Sequence, residues 1–312
     1  MPVVLFVLAL LVSGCATQTR ALLQHAPESL PRRVELATTP FHPQERYQCG
    51  PAALAMSLNA AGIAATPDAL VSQVYVPQRE GSLQPEMLAA GRRHGALSVT
   101  IAPQMDALLT EVAAGNPVLV LQNLSLQWAP LWHYAVVIGY DLDREEIILR
   151  SGTTERLVLP LSTFEHTWAR GKYWGMVTLP PDRLPASADE ASVVSALVAL
   201  EKSATAARAH QAYATALRRW PQNLTLQLGY GNTAYALGDR AGAATAYSRA
   251  AEQHPDSGAA FNNLATVLAD LGQFDEARIA AEKAIALGGP WRDAAYATLQ
   301  SIEAAQPKSA PK

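Results

Sequence analysis

Two residues of this chain have the types and settings to attack a carbonyl. One is Cys49, in the stretch 47–62, "YQCGPAALAMSLNAAG"; the other is His133, which opens 133–141, "HYAVVIGYD". Cys49 stands directly before Gly50, Pro51 and an apolar helical pattern. Its sulfur therefore lies where the unpaired N–H groups and the positive dipole end of a helix converge. A free thiol ionises near pH 8.5, and a helix start lowers that by at most about 2 kcal/mol, roughly one and a half pKa units. That brings the thiol near neutrality and no further. An imidazolium beside it would complete the activation, so the chemistry asks for a histidine on a rigid element. His25 and His42 fall in loops, His94 at a helix end, His166 in a short helix, and His210 and His254 in a helical region. His133 alone opens an apolar strand, and it is the best-placed base. An isolated cysteine is often only a small buried hydrophobe; its position and the histidine downstream favour the nucleophile. Trp132, Trp168 and Trp174 read as core or cleft wall rather than as a ligand cage.

The elements that must hold these two residues are legible from pattern. A helix is expected over 50–61, stopped by Gly62, and another from Thr66-Pro67-Asp68. "LQPEMLAAGRRHG" and "MDALLTEVAAGN" give a third and a fourth. Strands follow: "PVLVLQNL", "HYAVVIGYD", "EEIILRSG" and "RLVLPL", with the middle pair joined as a hairpin by "DLDR". "STFEHTW" reads as a short helix, and "YWGMVTL" closes the sheet. The fold class is α+β, with N-terminal helices packed on an antiparallel sheet.

At 312 residues the chain is long enough for two cores. Hydrophobic residues make up 49% and the net charge is −3, which leaves no basic excess for nucleic acid. The opening run "MPVVLFVLALLVSGC" has the length of a signal-peptide core and is too short to span a bilayer. No Lys or Arg precedes it. Its end, Val12-Ser13-Gly14-Cys15, resembles the lipobox of bacterial lipoproteins, which implies a lipid on Cys15. Ala16 after it leans towards the outer membrane, facing the periplasm. Cys49 would then have no disulfide partner within the chain, which leaves a reactive thiol or an intermolecular pair. The expected organisation is a signal peptide at 1–15, an irregular tether at 16–35 and a mixed domain at 36–179. A Pro- and Ser-rich linker at 180–190 leads to helical repeats at 191–305 and a disordered tail at 306–312.

The repeats have a period of 34 residues. Gly238 and Gly272, Ala243 and Ala277, and Ala250 and Ala284 are each that far apart, as are Tyr213 and Tyr247, and Pro221 and Pro255. Glycine in the turn, small residues on the second helix and proline at its end resemble a tetratricopeptide solenoid. Units are expected near 188–221, 222–255 and 256–289, with a capping helix after Pro290. Such arrays hold a peptide or protein partner in a concave groove.

The pairing of "Q-x4-CGPAALAM" with "HYAVVIGYD" some 80 residues later resembles the bacteriocin-processing, double-glycine peptidases of the papain-like superfamily. The likeness covers roughly 36–179. It implies a papain-like domain in which Cys49 is the nucleophile and His133 its base and acid. Gln44 would be an oxyanion donor beside the Cys49 N–H, with Gln48 as the alternative glutamine. No metal or organic cofactor is implied. The family's acid on the strand after the histidine has no counterpart, because that region reads Leu149-Arg150-Ser151-Gly152. Asp141 is eight residues along the strand from His133, roughly 25 Å or more at 3.3 Å per residue. Folding the hairpin about "DLDR" brings 150–152 opposite His133 instead, so Ser151 or a backbone carbonyl could orient the ring. The implied activity is peptide hydrolysis in the periplasm, on a peptide or protein substrate. The alternatives are an inactive peptide-gripping adaptor and a Cys-His acyl- or amidotransferase.

Overall fold

The structure, a computed structural model, describes residues 16–44 and 48–306. Two compact units divide between Ala196 and Leu197. The expected signal peptide with Cys15, and residues 307–312 of the expected tail, lie outside the described residues. Among those described, no helix is long and apolar enough to cross a membrane.

Unit 1 is an α+β domain. Its elements in chain order are α1 (Thr17–Gln24), β1 (Arg33–Glu35), α2 (Cys49–Ala60), α3 (Pro67–Val74), β2 (Tyr75–Val76), β3 (Gly81–Ser82) and α4 (Gln84–Arg93). Then come β4 (Leu97–Thr100), α5 (Met105–Ala113), β5 (Val118–Asn123), β6 (Trp132–Asp141), β7 (Glu146–Ser151), β8 (Thr154–Pro160), α6 (Leu161–Arg170) and β9 (Gly175–Leu179). The main sheet runs β4-β9-β5-β6-β7-β8, every pairing antiparallel, with β1 added along the far end of β6.

α2 is apolar on every side, which marks a helix sunk into the core instead of one lying on a surface. Gly50 to Leu58 are all buried, and Ala53, Leu54, Met56 and Leu58 pack with Tyr134, Val136 and Ile138 of β6. This packing sets the helix start, and so Cys49, against the first residues of β6. At the other end of that strand, Asp141 Oδ1 accepts the N–H groups of Asp143 and Arg144, both at 3.0 Å, and closes the β6–β7 turn. Asp141 thus shapes the hairpin at the end remote from His133.

Residues 16–35 are not an irregular tether. Glu165 on α6, itself buried, accepts the N–H groups of Gln18 (3.0 Å) and Thr19 (2.7 Å), and so satisfies donors that a helix start leaves open. The Gln18 side chain bonds Pro103 O and Met105 N, Leu22 is buried, and β1 continues the edge of β6. A polar sequence hid this docking because its bonds run to residues more than eighty positions away. Nor is 180–189 loosely strung: it is irregular but strapped to unit 1. Ser187 gives both its N–H (2.7 Å) and its hydroxyl (2.6 Å) to the fully buried Glu111, which also takes Asn116 Nδ2 at 2.7 Å. Arg183 reaches Asn116 Oδ1 at 2.5 Å. The helix α7 (Glu190–Glu201) follows, and the break between units falls within it rather than at 180–190.

Unit 2 is all helical: α8 (Ala206–Arg219), α9 (Leu224–Ala236), α10 (Arg240–Gln253), α11 (Gly258–Asp270), α12 (Phe274–Leu287) and α13 (Arg292–Ala305). Gly238 and Gly272 adopt φ of 83° and 76° between paired helices, the left-handed turn for which glycine is suited. The small residues of the repeat have a packing reason. A Cβ on Gly229 would overlap the ring of Tyr213, and one on Gly231 the ring of Tyr247. α8 and α10 stop just short of Pro221 and Pro255, and α13 supplies the cap after Pro290.

Candidate active site

The first turn of α2 is short of hydrogen-bond partners where it matters. Its first helical bond is Ala52 N–H to Gln48 O, at 3.2 Å, and Pro51 has no N–H to place. The N–H groups of Cys49 and Gly50 take no carbonyl among the described residues. They bear on the sulfur instead. Backbone hydrogen bonding from Tyr134, Gly50 and Cys49 itself draws the thiol pKa down, but burial outweighs it and pushes the thiol up. Burial likewise pushes the His133 imidazole down. The pocket therefore adds a desolvation that works against the charged form of each group, which the helix start offsets only in part for the thiol.

His133 is held from behind. Its Nε2 lies 2.8 Å from Ser151 Oγ. β6 and β7 pair Val136 with Arg150, so Ser151 and His133 meet diagonally where the ladder ends. Donation from Nε2 to the hydroxyl would leave the Nδ1 lone pair as the base. Among the described residues no hydrogen bond joins the ring to Cys49.

Gln44 is locked on three sides. Its backbone N–H donates to Gly152 O at 3.0 Å, its Oε1 accepts Gly152 N–H at 3.0 Å, and its Nε2 donates to Tyr134 O at 3.2 Å. Gly152 can only donate through its N–H and Tyr134 can only accept through its carbonyl, so the amide has one orientation. Among the described residues the second Nε2 hydrogen has no partner. Gln48 is the residue before the helix and its side chain makes no capping bond. Arg150, buried on β7, steadies the segment leading to Gln44. Its guanidinium donates to Ala37 O (2.9 Å), Thr39 O (2.9 Å) and Glu155 O (2.6 Å).

Gln44, Cys49, His133 and Tyr134 line one cleft of about 930 Å³. Sequence reasoning missed its roof, formed by the hairpin β2–β3. Tyr134 Oη donates to Ser82 O at 3.0 Å, and a Cβ on Gly50 would come within 2.6 Å of Ser82 Cβ, so this hairpin rests on the first turn of α2. Gly81 beside a charged pair was the available turn signal. Trp132 stands on the cleft rim, whereas Trp168 is fully buried with its indole N–H on Trp174 O at 2.8 Å.

Residues 34–175 match the model of the Peptidase C39 like family. The chain carries a peptidase C39-like domain. Residues 231–294 match the tetratricopeptide repeat, whose arrays suggest protein–protein interaction. A crystal structure of a candidate C39-like peptidase from Bacillus anthracis is 20% identical, covers 48% of this chain and 98% of that one, and superposes with a TM-score of 0.41. No curated protein matches the chain. Within the C39-like domain, cysteine, histidine and glutamine converge, while the position behind the imidazole holds a serine.

Proposed function

We propose that the chain is a cysteine peptidase of the bacterial envelope. It is held to the outer membrane by a lipid on Cys15, faces the periplasm, and docks a partner or substrate through its repeats. The observation that carries the reading is the meeting of Cys49, His133 and Gln44 in one cleft, with the ring backed by Ser151. A scissile carbonyl entering there would be attacked by Sγ as His133 takes the thiol proton. The oxyanion would form between the Cys49 N–H and the spare Nε2–H of Gln44. The imidazolium would then protonate the leaving amine as the C–N bond breaks, and water deprotonated by His133 would hydrolyse the thioester. Because burial disfavours both charges at rest, proton transfer accompanies attack rather than preceding it. Ser151 supports the imidazolium with a hydroxyl dipole in place of the full opposite charge a carboxylate would bring, which stabilises it less. Slow turnover follows.

Two observations, a thiol pushed up and a serine hydroxyl on the ring's Nε2, favour a second reading: an adaptor that grips peptides without cutting them. A third keeps the thioester and passes the acyl group to an amine. Purified protein incubated with a peptide library separates all three. New termini lost in Cys49→Ala support the peptidase, amine-capped products support the transferase, and binding without products supports the adaptor. The location is tested by palmitate labelling and membrane fractionation of wild type against Cys15→Ser.

A further inference from the structure

The loop between β5 and β6 together with the first residue of β6, residues 124–132, reads "LSLQWAPLW" and contains no charge. Its apolar side chains are turned outward: Trp128 is 83% exposed, and Leu124, Leu126, Leu131 and Trp132 are all exposed. A contiguous patch of this kind on a folded unit marks a contact surface. The loop is also braced, so the exposure is built in. Leu126 bridges to Ala129. Asn123 Oδ1 accepts the N–H groups of Ser125 (3.0 Å) and Leu131 (2.9 Å), and its Nδ2 donates to Leu126 O at 3.3 Å. From beneath, Arg170 Nε donates to Asn123 O at 3.0 Å.

Arg170 ends α6, the helix whose Glu165 fixes the start of α1 at Gln18 and Thr19. The two residues are five positions apart, about 7.5 Å along the helix axis. One helix thus holds both the point where the chain enters the domain and the base of the apolar loop. Residue 16, the first described, leads directly into this docked helix.

We propose that loop 124–132 seats in a lipid surface, with Trp128 at the interface and the cationic Lys172 at the cleft rim near the headgroups. Tryptophan and leucine on a tip without charge suit that boundary. Since Leu131 and Trp132 also line the cleft, the cleft then opens against the membrane, and its substrates are chains lying at that surface. The inference rests on the envelope reading for the presence of the bilayer, and its test is separable from the lipid on Cys15.

The test uses the full chain, as wild type and as Cys15→Ser, with vesicles of mixed phosphatidylethanolamine and phosphatidylglycerol carrying brominated acyl chains. The Cys15→Ser protein is expected to sediment with the vesicles and to lose tryptophan fluorescence to the bromines. Leu126→Ser with Trp128→Ser should weaken partition by on the order of tenfold while leaving the unfolding midpoint unchanged. Gln127→Glu, a single exposed change, should weaken it in the same direction. If the lipid reading alone fails, wild type and Cys15→Ser partition alike and the loop substitutions still act. If the loop inference fails, wild type stays on vesicles while Cys15→Ser remains in solution and unquenched. Loop substitutions that leave partition unchanged, or that act only on peptide KM without lipid or on self-association, overturn it as well.

Discussion

Replacing Ser151 tests whether this hydroxyl sets the reactivity of the site. The bond from His133 Nε2 spans 2.8 Å between neutral partners in a partly buried setting. Such a bond contributes about 0.5–1.5 kcal/mol, so Ser151→Ala should slow alkylation of Cys49 by roughly two- to twelvefold. Ser151→Asp replaces it with a charge-assisted bond of about 1.5–3 kcal/mol, a gain near 1.4 kcal/mol, which is about one pKa unit on the imidazole. The sign is upward, against the lowering that burial imposes. A more basic ring accepts the thiol proton more readily, so alkylation of Cys49 near pH 7 should rise by on the order of tenfold. Iodoacetamide labelling from pH 5 to 9, read at Cys49 by mass spectrometry, gives the rates, and ring resonances of His133 give its titration. If Ser151→Ala and Ser151→Asp both overlay wild type in rate and in titration, Ser151 is a bystander and the argument for it is wrong.

Folding stability should carry the mark of both buried groups. The lowered pKa of His133 means that the unfolded ring, titrating near pH 6.5, takes up a proton first, so stability falls as pH drops below about 6.5. Urea denaturation should find that slope flattened in His133→Gln. The raised pKa of Cys49 works from the other side, costing stability above about pH 8.5, and Cys49→Ser should remove that loss in the same titration. Gly50→Ala should destabilise by about 1–3 kcal/mol by driving a Cβ into Ser82, and Ser82→Gly should relieve it, as measured by chemical denaturation. In unit 2, Gly229→Ala meets the Tyr213 ring and should lower the melting temperature of the helical signal, whereas an alanine at the exposed Gln222 should not.

The sequence revealed most of what repeats or alternates. The almost wholly apolar stretch 51–58 marked the buried helix, the "DLDR" turn fixed the β6–β7 hairpin, and the interval of 34 residues announced the solenoid. Geometry at the site was partly readable. Hairpin folding alone put 150–152 near His133, and the structure sets Ser151 against the ring and Gly152 against Gln44. What escaped was made by distant partners or by very short elements. Nothing local marks 17–24 as docked, because its donors end on Glu165; nor do the two-residue strands β2 and β3 carry any period to detect. The electrostatics also escaped. Counting a helix dipole and an imidazole overlooks the desolvation that the cleft imposes on both.

The Glu111 strap decides where this enzyme-like module can be cut free. Trimming the chain after Leu179, where the last strand ends, would strip Ser187 from a carboxylate with no solvent access. Losing those two bonds to a buried carboxylate costs about 1.5–3 kcal/mol each, a large share of what a domain of this size has to spare. A shortened version that stops there should melt early or aggregate, and one that runs past Ser187 should not. Modular reuse of the C39-like domain by recombination would therefore have to carry the strap along, which makes the Pro-rich stretch part of the inherited unit.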